Sequence, residues 1–158
     1  MALANQEKHL LLSTGNKSEL AVGYCTLYGD MNGGLSVIGD LYKTNVFKLC
    51  NWLDSEDSIN RRKLYMLDTK VDIIGENIRT KAPSAELGPD QLDTDSLPPY
   101  SILDNILKGI IEEKKDLILK IISLIKKAVF KRKQAPPILK LSSQSLGSDW
   151  RVPIAISY

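Results

Sequence analysis

The hydrophobic pattern changes period early in the chain. Residues 9–12 form a short apolar run that stops at Ser13, Thr14 and Gly15, which predicts a buried strand with a loop at its carboxyl end. Beyond the turn the apolar spacing becomes helical, with Asn16 as the N-cap and Glu19 in the capping-box position. The predicted helical face comprises Leu20, Tyr24, Leu27 and Tyr28.

The middle of the chain is predicted to be open and irregular. Four glycines in residues 29–40 predict a loop, after which Val46, Leu49, Cys50 and Leu53 resume helical spacing. Residues 54–77 are charged and poorly periodic, so we expect a surface excursion there, with one short strand or helix near residues 64–74. Residues 80–100 are rich in Pro, Ser and Asp, and a loop of that length is typical of a functional segment.

The last third is predicted to be helical before it becomes extended. Ser101 is a candidate cap for a helix with apolar residues at positions 102, 103, 106, 107, 110 and 111. Residues 117–129 form another apolar face. The two stretches are either two helices bent near residues 112–115 or one long helix, and the proline-punctuated tail after residue 133 is predicted to be extended.

Composition excludes several classes of protein. The net charge of +2 is too small to indicate a nucleic-acid partner. Two distant cysteines and a single histidine give neither a zinc motif nor a disulfide framework. The start of the chain lacks the pattern of a signal peptide, and the most apolar stretch, ILKIISLI, is too short to span a bilayer, so we expect a cytoplasmic protein without membrane or nucleic-acid partners.

The residues alone leave the candidate chemistry open. The helix start at Asn16 could hold an anion, with Lys17 adding charge, or could be an ordinary capped helix. Glu19 could close that cap, ligate Mg²⁺ or hold a ribose hydroxyl. Lys43 lies at a helix start, where a cation is misplaced unless an anion shares the site.

Two further interpretations are weaker. Residues 131–133, KRK, are either a solvated helix end or, with Lys126 and Lys127, part of a basic amphipathic helix that could bind a membrane or nucleic acid. A catalytic triad would have to use His9, which is interpreted as a packed residue. The chain contains no GxGxxG, GxxxxGK[ST], HExxH or GxSxG motif.

Three ordered blocks resemble the signature of glutamine-dependent NAD⁺ synthetases. They are STGNKSELAVGYCTLYGDMNGGLSVIGDLYKT at residues 13–44, KAPSAELGPDQLDTDSLPPYSILD at 81–104 and FKRKQAPP at 130–137. The resemblance implies an α/β fold of the adenine-nucleotide α-hydrolase type: a partial parallel sheet with flanking helices and a helix-rich carboxyl-terminal half. It also implies a tight dimer or larger assembly.

The activity implied by this resemblance is ATP-dependent amide ligation. The carboxylate of deamido-NAD⁺ attacks the α-phosphorus of ATP, pyrophosphate leaves, and ammonia then displaces AMP from the acyl-adenylate to give NAD⁺. Matched positions imply three groups of contacts and no catalytic residue: ATP at Thr14, Lys43 and Ser84; deamido-NAD⁺ at Glu19, Tyr24 and Lys131; and Mg²⁺ at Glu19.

The sequence also departs from the family pattern. It has no SGGxDS phosphate-binding loop and no glutaminase domain. We therefore expect residues 1–158 to be the carboxyl-terminal segment of a synthetase (ligase) domain, inactive alone. The alternative is a non-catalytic remnant or interaction subunit that pairs with a complete synthetase or with a complementary amino-terminal chain.

Overall fold

A computed structural model describes residues 1–113, 119–147 and 149, which fall in two compact units. The first unit joins Met1–Lys43 to the described residues from Tyr100 onwards, and the second is Thr44–Pro99. The first contains α1 (Ala2–Gln6), β1 (Leu12–Ser13), α2 (Lys17–Val22), β2 (Leu35–Ser36), α6 (Tyr100–Ile111), α7 (Leu119–Lys127) and α8 (Val129–Gln134). The second contains most of α3 (Lys43–Leu53), α4 (Glu56–Leu64), α5 (Glu76–Thr80) and a 3₁₀ turn at Asp93–Asp95.

A small parallel sheet organises the first unit. Leu12 pairs with Leu35 and Ser13 with Ser36. On the other side of β2, Ser36 forms a parallel bridge to Ile138, so the predicted extended tail joins the sheet. The α/β class with a partial parallel sheet and helices in the carboxyl-terminal half is therefore confirmed.

Helices built from the predicted apolar faces form the core of this unit. α2 packs against α6, α7 and α8. Leu103 and Leu107 of α6 are fully buried, as the spacing predicted, although Ile102 is exposed. α6 ends at Ile111 and α7 begins at Leu119, so the two apolar stretches belong to separate helices. Residues 114–118 lie outside the described residues.

The predicted buried strand is wrong in extent and in burial. β1 contains only Leu12 and Ser13, Leu10 and Leu12 are exposed, and His9 is exposed rather than packed. In the described part of the chain, β1 pairs only with β2, so one of its edges has no neighbouring strand. A strand at the edge of a sheet buries less of its side chains than a central strand does.

The helix predicted to continue to Tyr28 is shorter than its spacing indicated. α2 ends at Val22, and Gly23 follows with the left-handed φ of 74° that favours glycine at a helix end. A Cβ built on Gly23 would lie 2.7 Å from the Cβ of Ala128. The turn and the close approach of Ala128 therefore both require a glycine, and the apolar residues after it are not helical.

The second unit corrects the prediction for residues 64–74. Its helix α4 lies earlier and begins where the Ser55 hydroxyl accepts the Ser58 N–H at 3.3 Å. Residues 65–74 contain neither helix nor strand. The Asp54 carboxylate instead orders this stretch by accepting the N–H groups of Ile74 and Gly75 at 3.0 Å each, just before α5.

The long Pro, Ser and Asp segment is largely irregular, as predicted. Between the end of α5 at Thr80 and the start of α6, its regular structure among the described residues is the 3₁₀ turn at Asp93–Asp95. α6 begins at Tyr100, one residue before the predicted cap at Ser101. Among the described residues, none of the helices is both long enough and apolar enough to cross a membrane.

Candidate functional site

The turn after β1 is closed by the predicted capping box. The Glu19 N–H donates to Asn16 Oδ1 at 3.1 Å, and the Asn16 N–H donates to Glu19 Oε2 at 3.2 Å. The Lys17 N–H donates to the Leu41 carbonyl at 2.8 Å. These backbone donors at the start of α2 are therefore used within the protein, while Thr14, just before the cap, is exposed.

Of the two interpretations of this helix start, the structure supports the ordinary capped helix, because Lys17 does not add its charge to an anion site there. Its side chain is fully buried, and Nζ lies 3.1 Å from Asp40 Oδ1. The ammonium donates to the Ser142 hydroxyl at 2.8 Å and to the Gln144 carbonyl at 2.6 Å. It also lies 3.5 Å from Glu112 Oε1, so its charge is neutralised inside the first unit.

Asp40, the anionic partner of Lys17, also binds the backbone of the extended tail. Its carboxylate accepts the N–H groups of Leu141 at 2.7 Å and Ser142 at 2.6 Å, and the Ser142 hydroxyl at 3.0 Å. Burial by itself would raise the pKa of Asp40, but those backbone donors and Lys17 together hold it below its ordinary value. The buried pair thus ties residues 141–144 to the loop after β2.

Tyr42 adds a neutral hydrogen-bond donor beside Lys17 and Glu112. Its hydroxyl donates to Glu112 Oε1 at 3.0 Å, and its ring lies 4.8 Å from Lys17 Nζ. Burial and the nearby Glu112 raise the pKa of Tyr42, so the hydroxyl keeps its proton at neutral pH. The ring also lies 5.3 Å from Lys108 Nζ.

The structure brings together two of the predicted site residues, Glu19 and Lys43. Lys43 Nζ lies 2.7 Å from Glu19 Oε1, and the side chains are 21% and 14% exposed, respectively. The Glu19 carboxylate is therefore the anion that the lysine at the start of α3 was expected to need. Lys43 Nζ also lies 5.4 Å from the centre of the Tyr100 ring.

A hydrogen-bonded serine supports this pair. The Lys43 N–H donates to the Ser18 hydroxyl at 2.9 Å, and that hydroxyl donates to Asp104 Oδ1 at 2.5 Å. Ser18 and Asp104 are buried. Backbone and side chain of Lys43 are therefore each anchored to α2, which sets the direction of its ammonium.

Lys131 is placed at the opposite end of α2. Its ammonium donates to the carbonyls of Gly23 at 2.8 Å and Cys25 at 2.7 Å, on either side of the half-buried Tyr24. Arg132 donates to the Ala21 carbonyl at 2.6 Å, and burial lowers its pKa to about 10. Burial raises the pKa of the Cys25 thiol to about 11.

Ser84 belongs to the second unit. Its hydroxyl donates to the Gln91 carbonyl and accepts the Glu86 N–H at 3.0 Å, so it closes a local turn. Its assignment to ATP, like the assignments of Thr14, Tyr24 and Lys131, stays a prediction.

The residues described around Glu19 do not by themselves build a metal site. In the described part of the chain no three His, Cys, Asp or Glu side chains form a group that could hold a metal ion. Both oxygens of Glu19 already accept hydrogen bonds, from Asn16 and from Lys43. The Mg²⁺ prediction at Glu19 therefore has no support from this geometry.

Sequence reasoning missed the buried residues that surround the predicted ones. Asp40 and Ser142 lie 102 positions apart in the chain, and Ser18 and Asp104 lie 86 apart. The signature blocks include Asp40, Ser18 and Asp104 but do not reveal which residues pair. Only the folded chain shows those partners.

A family model and similar proteins of known name indicate the same family for this chain. The model of the NAD synthase family matches residues 1–135. The chain is 51% identical, over its whole length, to the glutamine-dependent NAD(+) synthetase of Synechocystis, and 45% identical over 98% of its length to that of Thermotoga maritima. It spans 28% and 27% of those two chains.

Solved structures show the same fold. A glutamine-dependent NAD(+) synthetase from Cytophaga hutchinsonii matches 99% of the chain with a TM-score of 0.62 at 21% identity, over 26% of its own length. An NMN synthetase from Francisella tularensis matches 90% of the chain with a TM-score of 0.58 at 25% identity, over 50% of its own length. The signature blocks, the parallel sheet and the match over residues 1–135 together show that this chain belongs to the NAD synthase family.

Proposed function

We propose that residues 1–158 form the carboxyl-terminal segment of a ligase domain that converts deamido-NAD⁺ to NAD⁺. In this reaction a carboxylate oxygen of deamido-NAD⁺ bonds to the α-phosphorus of ATP and pyrophosphate leaves. Ammonia then attacks the acyl carbon, AMP departs and the amide of NAD⁺ remains. Membership of the NAD synthase family supports this proposal.

The pairing of Lys43 with Glu19 is the observation that carries the proposal. Negative charge accumulates on the phosphates during adenylation, and a fixed cation stabilises it. Lys43 is held by Ser18 and Glu19 yet remains partly exposed, so a phosphate can compete with Glu19 for its ammonium. Glu19 is then free to face deamido-NAD⁺, and the exposed Thr14 lies on the adjoining turn.

The remaining contacts complete this proposal. Ser84 contributes to ATP binding, and Tyr24 and Lys131 contribute to deamido-NAD⁺ binding at the other end of α2. Mg²⁺ accompanies ATP in the proposal, and Glu19 is assigned to deamido-NAD⁺ rather than to the metal. The cytoplasm is the proposed compartment, and a homo-oligomer or a complementary synthetase or glutaminase chain is the proposed partner.

The test is AMP release that requires deamido-NAD⁺. The chain alone is expected to release none, and addition in trans of the SGGxDS-bearing part of a synthetase is expected to restore release. Lys43→Ala should then lower ATP use, and Glu19→Ala should lower turnover without unfolding the chain. The exposed Lys126, changed to Ala, is the matched control. If both site variants turn over normally, these residue assignments are wrong.

A second candidate function is a non-catalytic interaction subunit. Exposed leucines on the parallel sheet favour it, because such a surface is typical of a contact between chains. Stable pairing with a synthetase chain but no deamido-NAD⁺-dependent AMP release, even with all other parts supplied, would distinguish this function from the ligase.

A further inference from the structure

Two consecutive hydrogen bonds join α6 and α2 to the first residue of α3. The Ser18 hydroxyl of α2 donates to Asp104 Oδ1 of α6 at 2.5 Å and accepts the Lys43 N–H at 2.9 Å. Ser18 and Asp104 are both fully buried, so water does not compete for the bond between them. These two bonds form the Asp104–Ser18–Lys43 chain.

The Ser18 hydroxyl serves Lys43 as an acceptor only. A hydroxyl carries one proton and two lone pairs, and an ionised carboxylate only accepts. The proton of Ser18 therefore points to Asp104, at the 2.5 Å that is typical of a hydroxyl bound to a carboxylate. A lone pair of Ser18 is left to face the Lys43 N–H, so Asp104 fixes the direction of the chain.

Lys43 needs this acceptor because it is the first residue of α3. The first N–H groups of a helix have no carbonyl partner in the helix itself, and a side chain just before the helix usually supplies one. Here the acceptor is Ser18, 25 positions earlier. The Leu41 carbonyl accepts the Lys17 N–H at 2.8 Å, so two successive residues of α2 hold the start of α3.

The helix α6 approaches Lys43 at a second point. Tyr100 lies four residues before Asp104, which places both on one face of α6. The centre of the Tyr100 ring is 5.4 Å from Lys43 Nζ, within the range of a cation–π contact. One face of α6 therefore supports the backbone of Lys43, through Ser18, and also its ammonium.

The two ends of Lys43 respond differently to a bound phosphate. In the proposed reaction a phosphate displaces Glu19 from the ammonium, so the ion pair at 2.7 Å opens. The chain from Asp104 involves only the backbone N–H of Lys43 and stays closed. Because a lysine side chain has several rotatable bonds, its ammonium reaches a phosphate reproducibly only when its backbone is fixed.

We propose that Asp104 is a positioning residue for the ATP site of the ligase. It acts through Ser18 and not on the substrate. By fixing the start of α3, it lets the Lys43 ammonium exchange Glu19 for phosphate without a change in the lysine backbone. The role in the reaction rests on the proposed function, whereas the effect of Asp104 on the Lys43 backbone does not.

Hydrogen exchange tests the effect on the backbone without any turnover. The Lys43 amide is followed by NMR in this chain, with the Leu20 amide, which donates to the Asn16 carbonyl within α2, as the reference. Asp104→Leu removes the acceptor but fills the space, and it should speed exchange at Lys43 at least about tenfold relative to Leu20. Asn105→Ala, at an exposed position of α6, is the matched control and should keep that ratio within about twofold.

AMP release tests the consequence for ATP. This chain is assayed with the SGGxDS-bearing part of a synthetase, ammonia and deamido-NAD⁺. Asp104→Leu should raise the KM for ATP at least about tenfold and the KM for deamido-NAD⁺ less than about threefold. Ser18→Ala breaks the same chain, keeps the Asp104 carboxylate and should give the same change. In a Lys43→Ala background, Asp104→Leu should lower the rate less than about twofold further.

Two results would overturn the proposal. An unchanged exchange ratio in Asp104→Leu, or in Asp104→Ala if the leucine variant does not fold, would show that Asp104 does not hold the start of α3. An equal loss of rate with and without Lys43, or equal rises in both KM values, would show that Asp104 supports the fold and does not act through the lysine. If the unsubstituted assembly releases no AMP, the ligase proposal fails, and the exchange ratio still decides whether Asp104 positions Lys43.

Discussion

Loss of the Lys17 ammonium is predicted to destabilise the first unit strongly. Lys17→Met keeps a long apolar side chain but removes the ion pair with Asp40 at 3.1 Å. It also removes the hydrogen bonds to Ser142 and Gln144. Asp40 then keeps a buried carboxylate without a cationic partner.

The expected loss in the free energy of unfolding depends on the hydrogen bonds that Asp40 keeps. Removing one partner of a buried ion pair costs about 3–5 kcal/mol. Asp40 still accepts hydrogen bonds from Leu141 and Ser142, so the expected loss is at the lower end, about 3 kcal/mol. With a denaturant slope of about 1.5 kcal/mol/M, the midpoint in urea should fall by about 2 M.

Urea unfolding at neutral pH measures this loss, with Lys126→Met as the exposed-lysine control. The control should change the free energy of unfolding by no more than about 0.5 kcal/mol. Lys17→Met combined with Asp40→Asn removes the unpaired charge and should be more stable, by at least about 1 kcal/mol, than the sum of the single changes implies. Hydrogen exchange at the Leu141 and Ser142 amides should be faster in Lys17→Met.

A small loss of stability in Lys17→Met would contradict this prediction. If Lys17→Met costs less than about 1 kcal/mol, or no more than Lys126→Met, the buried pair does not stabilise the tail. If the double variant changes the free energy of unfolding by the sum of the two single changes, Lys17 and Asp40 are not coupled.

Three further predictions concern the candidate site and its surroundings. Glu19→Gln should keep the capping hydrogen bond, since glutamine also serves in a capping box, and should change stability by less than about 1 kcal/mol. The same variant in a chimera, the full-length Synechocystis synthetase in which this chain replaces the matching region, should lower deamido-NAD⁺-dependent turnover by about tenfold or more. Normal turnover would exclude a role for the carboxylate. The pKa of Asp40 is lower in the folded than in the unfolded chain. Its contribution to stability is therefore present above about pH 4, the pKa in the unfolded chain, and is lost as the pH falls through the lower pKa of the folded chain. Unfolding measured from pH 5 to about pH 2 should therefore show a smaller acid loss in Asp40→Asn, and identical curves would contradict this assignment. Cys25, with its pKa raised to about 11, should react with iodoacetamide at pH 8 about 100-fold more slowly than a cysteine in an unfolded peptide, and a peptide-like rate would contradict its burial.

Local signals predicted the local structure well. Asn16 and Glu19 form the capping box that their spacing of three indicates, and the four-residue repeat of α6 buries Leu103 and Leu107. Both features depend on residues within one or two turns of each other, which a single sequence displays directly.

Features set by distant residues were not predictable in the same way. The sequence around Lys17 left open whether it adds charge to an anion site or belongs to an ordinary capped helix. Its partners Asp40 and Ser142 come from elsewhere in the chain and bury it. α2 ends at the left-handed turn of Gly23, and Ala128 of a later segment leaves no room there for a side chain, a close approach that apolar spacing alone does not show.

The prediction for the candidate site was uneven for the same reason. Glu19 and Lys43 were each identified from residue type and family resemblance, but their direct pairing at 2.7 Å was not. Charge at a helix start indicated that Lys43 needs an anion, and the fold supplies Glu19. Asp104, which orients Ser18 and through it the Lys43 backbone, carried no signal of its own.

The ligase proposal is tested most directly by the rate at which the full-length chimera releases AMP with ATP, ammonia and deamido-NAD⁺. This chain is 51% identical to the region it replaces, so we expect a deamido-NAD⁺-dependent rate within about tenfold of the Synechocystis parent. A folded chimera with no such AMP release would contradict the claim that these residues complete a ligase site.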